Sequence, residues 1–343
     1  MNTTNEFMTQ SNQSVHKINL ENIRQYLFSS YPSLFTENAI SEVIEARAGM
    51  VNSVFKVIAD NGNYYLKQFL AKPKDSRFAN FTLSTQDRMG ATEIAQRQFM
   101  GICDTGTICQ TRILDYQNCI IIDEEIINAK PTLEIIENGK LENQTLIKIA
   151  ENLSRIHKQH LNLDDFIGNR DFAEKKVTNK ILSANNNRGL TDEAKLNIEK
   201  TGHNYLLNPT TLLHGDFCST NILYSLDANK NQKPHFIDFE GAHFGNPSFD
   251  LSFLLAELIF FNLQDKQQKY NLAEFLENYF SNFSLPLLDV ELTTFTGCML
   301  LYLCGKGDNL TSYTDAETKT KAQEKAIIML NDYTSSIFKF IYD

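Results

Sequence analysis

The stretch Leu212–Leu223, "LLHGDFCSTNIL", decides the fold of this chain. Two short apolar runs enclose a loop that carries His214, Gly215 and Asp216, with Asn221 five positions after the aspartate. A carboxylate on such a loop can hold a hydroxyl group, while the carboxamide oxygen of Asn221 can bind a hard cation. Mg²⁺ prefers oxygen ligands of this kind and keeps several waters. The stretch therefore predicts a tight loop that carries chemistry.

A second acidic group follows in "HFIDFEG", residues His235–Gly241. Asp238 stands at the end of an apolar run, and Glu240 lies two residues further, on the same face if the backbone is extended. Two short strands that each deliver acidic or amide groups at one end predict a site for Mg²⁺ and a nucleotide.

These motifs resemble the catalytic and metal motifs of the aminoglycoside phosphotransferase-like family, which includes choline kinases and methylthioribose kinase and shares the protein-kinase fold. "HFGNPSFDLSFLLAEL", from His243, is similar to the family segment that follows the metal-binding aspartate. "GKGDNLTSY", from Gly305, resembles a C-terminal segment of some members less specifically. The resemblance covers roughly residues 40–335. It implies a two-lobe α+β fold, with a small β-rich N-lobe and a larger, mainly helical C-lobe.

The resemblance implies a role for each residue of the loop region. Asp216 would orient the acceptor hydroxyl and take its proton, and His214 would order the loop. Asn221 and Asp238 would bind Mg²⁺, with Glu240 on the ion or next to it. Asp250, in the segment that follows, would brace the catalytic loop. The alternative is a pair of turns whose Asp and Asn side chains only cap backbone groups.

The nucleotide would also need a lysine, and "YYLKQF" offers Lys67 on the strand face of Tyr65 and Phe69. A lysine on an apolar face is costly unless it is paired. As the kinase-type lysine it would reach the α- and β-phosphates and pair with Glu93 of "ATEIAQ". The alternatives are a lysine on an edge strand whose charged end reaches solvent, and a glutamate on a solvated helix face.

Two further segments would contact the nucleotide. "RAGMVNSVF", residues 47–55, would be the phosphate loop, with the single glycine Gly49 and with donors from Asn52 and Ser53; an ordinary turn between strands is the alternative. "IIIDEEI" would be the hinge between the lobes, where the backbone of residues 123–125 reads adenine. Its three acids, which a solvated acidic run would also explain, are Asp123, Glu124 and Glu125.

The rest of the sequence predicts the architecture. Up to residue 125 the pattern reads β-β-β-α-β, with a hairpin at Asn61-Gly62, a helix over 84–100 and a strand over 118–123. The remainder is mostly helical and includes an all-round apolar helix over 250–264. We expect a disordered tail at 1–16, an N-lobe at 17–125 and a C-lobe at 126–343.

Composition excludes several classes of partner. The net charge of −10 disfavours nucleic acid, whose phosphates need clustered lysines and arginines. The apolar helix is too short to span a bilayer, so we expect no membrane association. The 6 cysteines show no CxxC spacing and follow no signal peptide, which predicts free thiols in a reducing cytoplasm.

The sequence thus predicts a phosphotransferase that uses Mg²⁺ and ATP or GTP and acts on a small-molecule hydroxyl acceptor. An aminoglycoside, a sugar such as methylthioribose, and an amino alcohol all stay open as acceptors. Choline is mildly disfavoured because the chain has no Trp for an aromatic cage. The acceptor pocket would be lined by residues 165–208 and the helices after 265. A protein kinase, a nucleotide-binding pseudoenzyme or scaffold, and a metal hydrolase are the alternatives, and the oligomeric state stays open.

Overall fold

The computed structural model describes most of the chain, and by its contacts the chain divides into two units. The first unit comprises Met1–Asn80 and Thr111–Glu125, and the second comprises Phe81–Gln110 and Ile126–Asp343. This division assigns the helix after residue 84 to the second unit. The lobes predicted at 17–125 and 126–343 stay predictions. The described residues are 17–36, 38–46, 51–74, 83–159, 170–207, 211–227, 229–264, 269–282, 289–305 and 316–342. The predicted disordered tail and Gly49 lie outside them.

The first unit is built on an antiparallel five-stranded sheet with the order β1-β2-β3-β5-β4. One face of this sheet is apolar and packs with the short helix α1, Ile23–Ser30, around Phe55, Leu66 and Ile122. The strands are β1 (Ile40–Glu45), β2 (Ser53–Ala59), β3 (Gly62–Gln68), β4 (Thr111–Asp115) and β5 (Ile120–Glu124).

The predicted hairpin connects β2 and β3, but its turn lies one residue earlier than the Asn-Gly signal indicates. Ala59 pairs with Gly62, so the two connecting residues are Asp60 and Asn61. Gly62 is the first residue of β3 and has φ of 140°, a conformation that side chains rarely adopt. Gly62 therefore occupies the first position of β3 and is not one of the two turn residues.

The predicted order β-β-β-α-β lacks two elements of the structure, α1 and β4. Exposure along β4 alternates only between half-buried and exposed residues, so its sequence "TRILD" lacks the buried apolar run that marks β5. The helix predicted over 84–100 is present as α2, Thr85–Ile102, and Ser84 caps it by accepting a hydrogen bond from the Asp87 N–H.

The second unit is mainly helical, and other helices of this unit pack around the buried helix α7 (Ser248–Asn262). As predicted, α7 is apolar on all sides. Short strands flank the loop at 214–221, in a pair β10-β7 and a triplet β6-β8-β9. The strands are β6 (Lys130–Pro131), β7 (Thr211–Leu213), β8 (Ile222–Leu226), β9 (Gln232–Phe236) and β10 (His243–Gly245). The helices after α2 are α3 (Thr132–Glu137), α4 (Asn143–His157), α5 (Arg170–Lys180), α6 (Asp192–Leu207), α7 (Ser248–Asn262), α8 (Leu272–Asn282), α9 (Asp289–Gly305), α10 (Ala316–Asn331) and α11 (Ile337–Tyr342).

The structure confirms the α+β composition, and it bears on two other predictions. All six cysteines are free thiols, as their spacing predicts. Among the residues described above, no helix is both long enough and apolar enough to cross a membrane.

Candidate active site

The loop of the opening motif is folded back on itself by a strand pair. β7 leads into the loop at 214–221, and β10 pairs antiparallel with β7, with His243 opposite Leu213. This pairing brings the backbone at Gly241 against Gly215. Gly215 has φ of 75°, and a Cβ on Gly215 would lie 1.9 Å from the Gly241 carbonyl oxygen. Only glycine satisfies both the left-handed conformation and this approach.

Asp250 is the main support of the loop. Its side chain is fully buried in the first turn of α7 and accepts hydrogen bonds from the backbone N–H groups of His214 (2.7 Å) and Gly215 (2.9 Å). Burial alone would raise the pKa of this carboxyl, but the hydrogen bond and charge of His157 and the loop N–H groups lower it. Asp250 is therefore an ionised carboxylate whose acceptor positions are used by the loop.

Two further side chains, those of His157 and Glu257, complete this support. The sequence motifs assign no role to either of them. His157 of α4 lies with its Nε2 3.4 Å from Asp250 Oδ2 and its Nδ1 2.8 Å from the Tyr279 hydroxyl. Because a carboxylate only accepts, the Nε2 atom carries a hydrogen. Glu257, two turns after Asp250 on α7, accepts from the Ser219 N–H at 2.6 Å. The loop is thus held near both ends by carboxylates of one helix.

His214 connects the loop to the segment that carries Asp238. Its Nε2 donates to the Ile237 carbonyl oxygen at 2.8 Å, so the neutral ring offers Nδ1 as an acceptor to the Asp216 N–H, 3.4 Å away. Burial lowers the pKa of His214, which favours this neutral form. Phe99 of α2, Phe217 and Phe239 surround the ring. His214 therefore bonds to backbone groups on both sides of the site, and its predicted role in ordering the loop stays a prediction.

Asp238 adopts a left-handed conformation, with φ of 67° and ψ of 59°. The expectation that Asp238 and Glu240 share the face of an extended strand is wrong. β9 ends at Phe236, and Phe239–Gly241 form a 3₁₀ helix in which Glu240 follows the turn. A left-handed non-glycine residue is uncommon and costs about 1 kcal/mol or more. Such a residue at the end of a strand is typical of functional sites.

The side chains of Asn221 and Asp238 carry oxygen atoms of the chemical kind that Mg²⁺ binds. The Asn221 side chain donates its NH₂ group to the Asp216 carbonyl (2.9 Å) and carboxylate (3.3 Å), which directs its amide oxygen elsewhere. The Ile237 N–H donates to the Asn221 backbone carbonyl at 3.0 Å, so Asp238 follows directly after a residue bonded to Asn221. An amide oxygen and a carboxylate are ligands that Mg²⁺ takes while it keeps its waters.

Two lysines of α5 contact Asp216, and nothing in the sequence pattern singled them out. Lys176 and Lys180 each place Nζ 2.9 Å from Asp216 Oδ1, and Lys176 also donates to the Gly215 carbonyl oxygen at 2.6 Å. Burial alone would raise the pKa of Asp216, but the two ammonium groups hold it well below its ordinary value. Burial lowers the pKa of Lys176 against the opposing effect of Asp216. The carboxylate of Asp216 is therefore ionised, with 34 % of its side chain exposed.

Lys67 and Glu93, which are predicted to act at the nucleotide, belong to different units of the chain. In β3 the buried face consists of Tyr64, Leu66 and Gln68, so Lys67 lies on the more open face with Tyr65. The expectation that this is the apolar face of the strand is wrong, although Lys67 Nζ does lie 5.5 Å from the centre of the Phe69 ring. In α2, Glu93 lies 3.6 Å from Arg97, one turn further on. The pairing of Lys67 with Glu93 stays a prediction.

The other predicted nucleotide contacts are engaged in local bonds of the first unit. Asn52 is buried and accepts from the Leu70 N–H at 3.2 Å, and Ser53 is buried at the start of β2. The acids of the predicted hinge have partners on other strands of the sheet: Asp123 accepts from Thr111 at 2.6 Å, Glu124 from Arg112 at 2.6 Å, and Glu125 from Lys56 at 2.6 Å. Their backbone contacts to adenine stay predictions.

A cleft of about 440 Å³ opens in the second unit, near Lys180 of α5. It lies between the 3₁₀ helix Leu182–Asn186, α9 and α10, and its walls include Asn186, Tyr302 and Gln323. The centre of the Tyr302 ring is 5.5 Å from Lys180 Nζ, so the cleft adjoins the lysines that contact Asp216. The walls of the cleft belong to segments predicted to line an acceptor pocket, and the pocket's role stays a prediction.

The strand order of the first unit, the helical second unit and the braced loop define a protein-kinase-like fold. Residues 142–291 match the model of the ecdysteroid kinase-like family, EcKL. The choline kinase LicA from Streptococcus pneumoniae is similar in structure at 15% identity, with a TM-score of 0.50, over 91% of this chain and 99% of that chain. A choline/ethanolamine kinase family protein from Mesorhizobium loti is similar at 14% identity, with a TM-score of 0.52, over 91% of this chain and 99% of that chain.

No curated protein sequence matches the chain. At these identities the structural similarity shows the fold. Together with the family model, it confirms the predicted resemblance to small-molecule kinases of the protein-kinase-like fold.

We expect Gly215→Ala to lower the free energy of unfolding by at least about 2 kcal/mol, because the left-handed conformation alone costs about 1–2 kcal/mol and the methyl group meets a backbone carbonyl. The matched control is Gly101→Ala in the last turn of α2, where a Cβ meets nothing within 4 Å. It should stabilise the protein by up to about 1 kcal/mol. Denaturant unfolding measures both, and equal effects of the two variants would contradict the role of Gly215.

We expect Asp250→Asn to destabilise the protein by about 2–4 kcal/mol at neutral pH, because the new NH₂ group faces N–H donors. The pKa of Asp250 is lowered in the folded state, so its contribution is present above the unfolded value and is lost as pH falls through the folded value. The difference from wild type should therefore narrow in acid, below about pH 4. Asp60→Asn, in the exposed hairpin turn, is the control and should change stability little.

Proposed function

We propose that the chain transfers the γ-phosphoryl group of ATP or GTP to a hydroxyl group of a small molecule. The observation that carries this proposal is the braced loop, in which Asp216, Asn221 and the residue before Asp238 are linked by direct hydrogen bonds. Phosphoryl transfer depends mainly on positioning and on neutralising charge, so a rigid set of few groups is sufficient. The similarity to small-molecule kinases supports the same class of reaction.

Asp216 is the residue that we assign to the acceptor hydroxyl. Its carboxylate is ionised, partly exposed and fixed by Asn221 and the two lysines. An ionised carboxylate only accepts hydrogen bonds, so a hydroxyl that reaches it donates and thereby directs a lone pair away from the carboxylate. This is the orientation in which the hydroxyl oxygen can attack a phosphorus atom. His214 and Asp250 act through the loop backbone and do not touch the hydroxyl.

Asn221 and Asp238 are the residues that we assign to Mg²⁺, with Glu240 close to them in the 3₁₀ turn. When bound, the ion neutralises the negative charge of the nucleotide phosphates. The chain contributes the fixed orientation of the Asn221 amide, which its bonds to Asp216 impose. For the nucleotide itself we propose Lys67, Glu93, Gly49, Asn52 and Ser53 at the phosphates. We propose the backbone of residues 123–125 at the base.

The cleft beside Lys180 is our candidate for the acceptor. Its volume of about 440 Å³ lies within the range of small-molecule sites, about 300–1,000 Å³. It is formed by helices of the second unit, which also contains Asp216. We propose the reducing cytoplasm as the compartment, since all six cysteines are free thiols.

A screen of hydroxyl compounds tests the proposal directly. The purified chain is incubated with Mg-ATP or Mg-GTP and a panel of sugars, amino alcohols, aminoglycosides and polyols, and both ADP or GDP release and the phosphorylated product are measured. We expect product with at least one acceptor class. Absence of nucleotide binding at millimolar concentration, measured by calorimetry with Mg²⁺, would refute the proposal, and so would phosphorylation of generic proteins without any small acceptor.

Two isosteric variants separate the reaction from nucleotide binding. We expect Asp216→Asn to lower kcat by roughly 10²- to 10⁴-fold, the usual contribution of a positioned acid or base, with little change in Mg-nucleotide affinity. We expect Asp238→Asn to weaken Mg-dependent nucleotide binding together with turnover. Thermal unfolding checks that both variants fold, because Asp216→Asn leaves the ammonium groups of Lys176 and Lys180 with only an amide oxygen as acceptor at this position. Equal loss of nucleotide binding in both would contradict the assigned division of roles.

A further inference from the structure

The two lysines on α5 occupy the same side of the helix, four residues apart, and both end at Asp216. Their Nζ atoms lie 2.9 Å from one carboxylate oxygen, and their side chains are only 10% and 6% exposed. Two positive charges therefore face one negative charge at the residue assigned to the acceptor hydroxyl. Lysine side chains are rarely buried to this extent unless they are paired. Here Asp216 is the partner of both.

Lys180 also fills an aromatic enclosure. Its Nζ lies 3.7 Å from the centre of the Phe253 ring, 5.5 Å from that of Tyr302 and 6.0 Å from that of Phe249. Aromatic faces beside a carboxylate form the environment that binds organic cations. In this chain the cation in that environment is the protein's own ammonium group.

The described walls of the cleft that continues from Tyr302 contain no acidic side chain. Among the described residues that line it, the polar ones are Ser183, Asn186, Asn187, Tyr302 and Gln323, and none is charged at neutral pH. Amide and hydroxyl groups of this kind bind hydroxyl and carbonyl groups of an uncharged ligand.

We propose that Lys176 and Lys180 determine the acceptor's charge, excluding organic cations from Asp216 and leaving the site to uncharged hydroxyl compounds. The inference rests on the proposed function of the same site. A cation that approached Asp216 would meet two ammonium groups in a partly desolvated position, where repulsion between like charges is strong. An uncharged hydroxyl group meets no such penalty and can still donate to the second carboxylate oxygen.

A binding experiment tests the proposal without nucleotide or turnover. Choline is the cationic probe, and calorimetry compares wild type with Lys176→Met/Lys180→Met, whose side chains keep the apolar stems without the charge. We expect choline affinity to rise by about tenfold or more in the double variant, because Asp216 then has no internal counter-ion. Adding Asp216→Asn should abolish the gain, and Lys176→Arg/Lys180→Arg should show none. A purely structural role of the lysines would not create affinity for a cation.

The contrary results are equally defined. Equal choline affinity of wild type and the double variant would overturn the proposal. If thermal unfolding shows that the double variant does not fold, Lys180→Met alone replaces it, with an expected gain of about threefold. No gain in this single variant would then overturn the proposal.

Turnover distinguishes this inference from the proposed function. Wild type is assayed with Mg-ATP against a set of uncharged alcohols, with glycerol and ribose among them, and against choline and an aminoglycoside. Transfer confined to uncharged acceptors supports both ideas. Transfer to the cationic acceptors at equal or higher kcat/KM overturns the role of the lysines and leaves the phosphotransferase standing. Absence of transfer to every acceptor refutes the proposed function, while the choline measurement still decides the charge selectivity.

Discussion

The loop region depends on one buried carboxylate, that of Asp250. A charge in the interior costs several kcal/mol unless hydrogen bonds satisfy it, and here two backbone N–H groups of the loop and His157 do so. The requirement acts in both directions, because the N–H groups of His214 and Gly215 would themselves be unsatisfied without the carboxylate. Glu257 repeats this arrangement at Ser219, so a single rigid helix sets both ends of the loop. The apolar all-round character of α7 follows, since the helix must be buried to carry both acids inward.

A second layer of contacts couples the loop to the turn at Asp238. His214 donates to Ile237, and Ile237 donates to Asn221, so the two motifs are joined side by side through one residue. The left-handed backbone of Asp238 is held in place by this attachment and by the β10-β7 pair that follows. Strain of this kind persists only where the surrounding structure over-determines it. These bonds restrict the backbone around the two residues that we propose as metal ligands, and a restricted backbone is a condition for electrostatic preorganisation.

The sequence could locate Asp216, Asn221, Asp238 and Asp250 because short apolar runs with polar ends have few ways to fold, and because the motif order resembles a known family. It could not show what approaches from elsewhere in the chain. In "FAEKKVTNK" nothing distinguishes a buried lysine from a solvated one, and only the packing of α5 shows that two of them reach Asp216. His157 lies on the apolar stripe of α4, and a residue on such a stripe is predicted to be an ordinary core residue. The sequence pattern therefore gives no sign of its bond to Asp250. The alternation expected for Asp238 and Glu240 is absent because β9 ends at Phe236, two residues before Asp238.

The lysines also bear on what Asp216 can contribute to the proposed reaction. With its pKa held well below the ordinary value, the carboxylate has little affinity for a proton. A strong base is unnecessary if the transition state of phosphoryl transfer is loose, since the attacking hydroxyl then carries little positive charge until late. The same lysines that weaken Asp216 as a base keep it ionised and fix its oxygen atoms, and both properties serve orientation. In the proposed reaction Asp216 would therefore act mainly as an acceptor that directs the hydroxyl, and the positive charge beside it would be available to the transferred phosphoryl group as its negative charge develops.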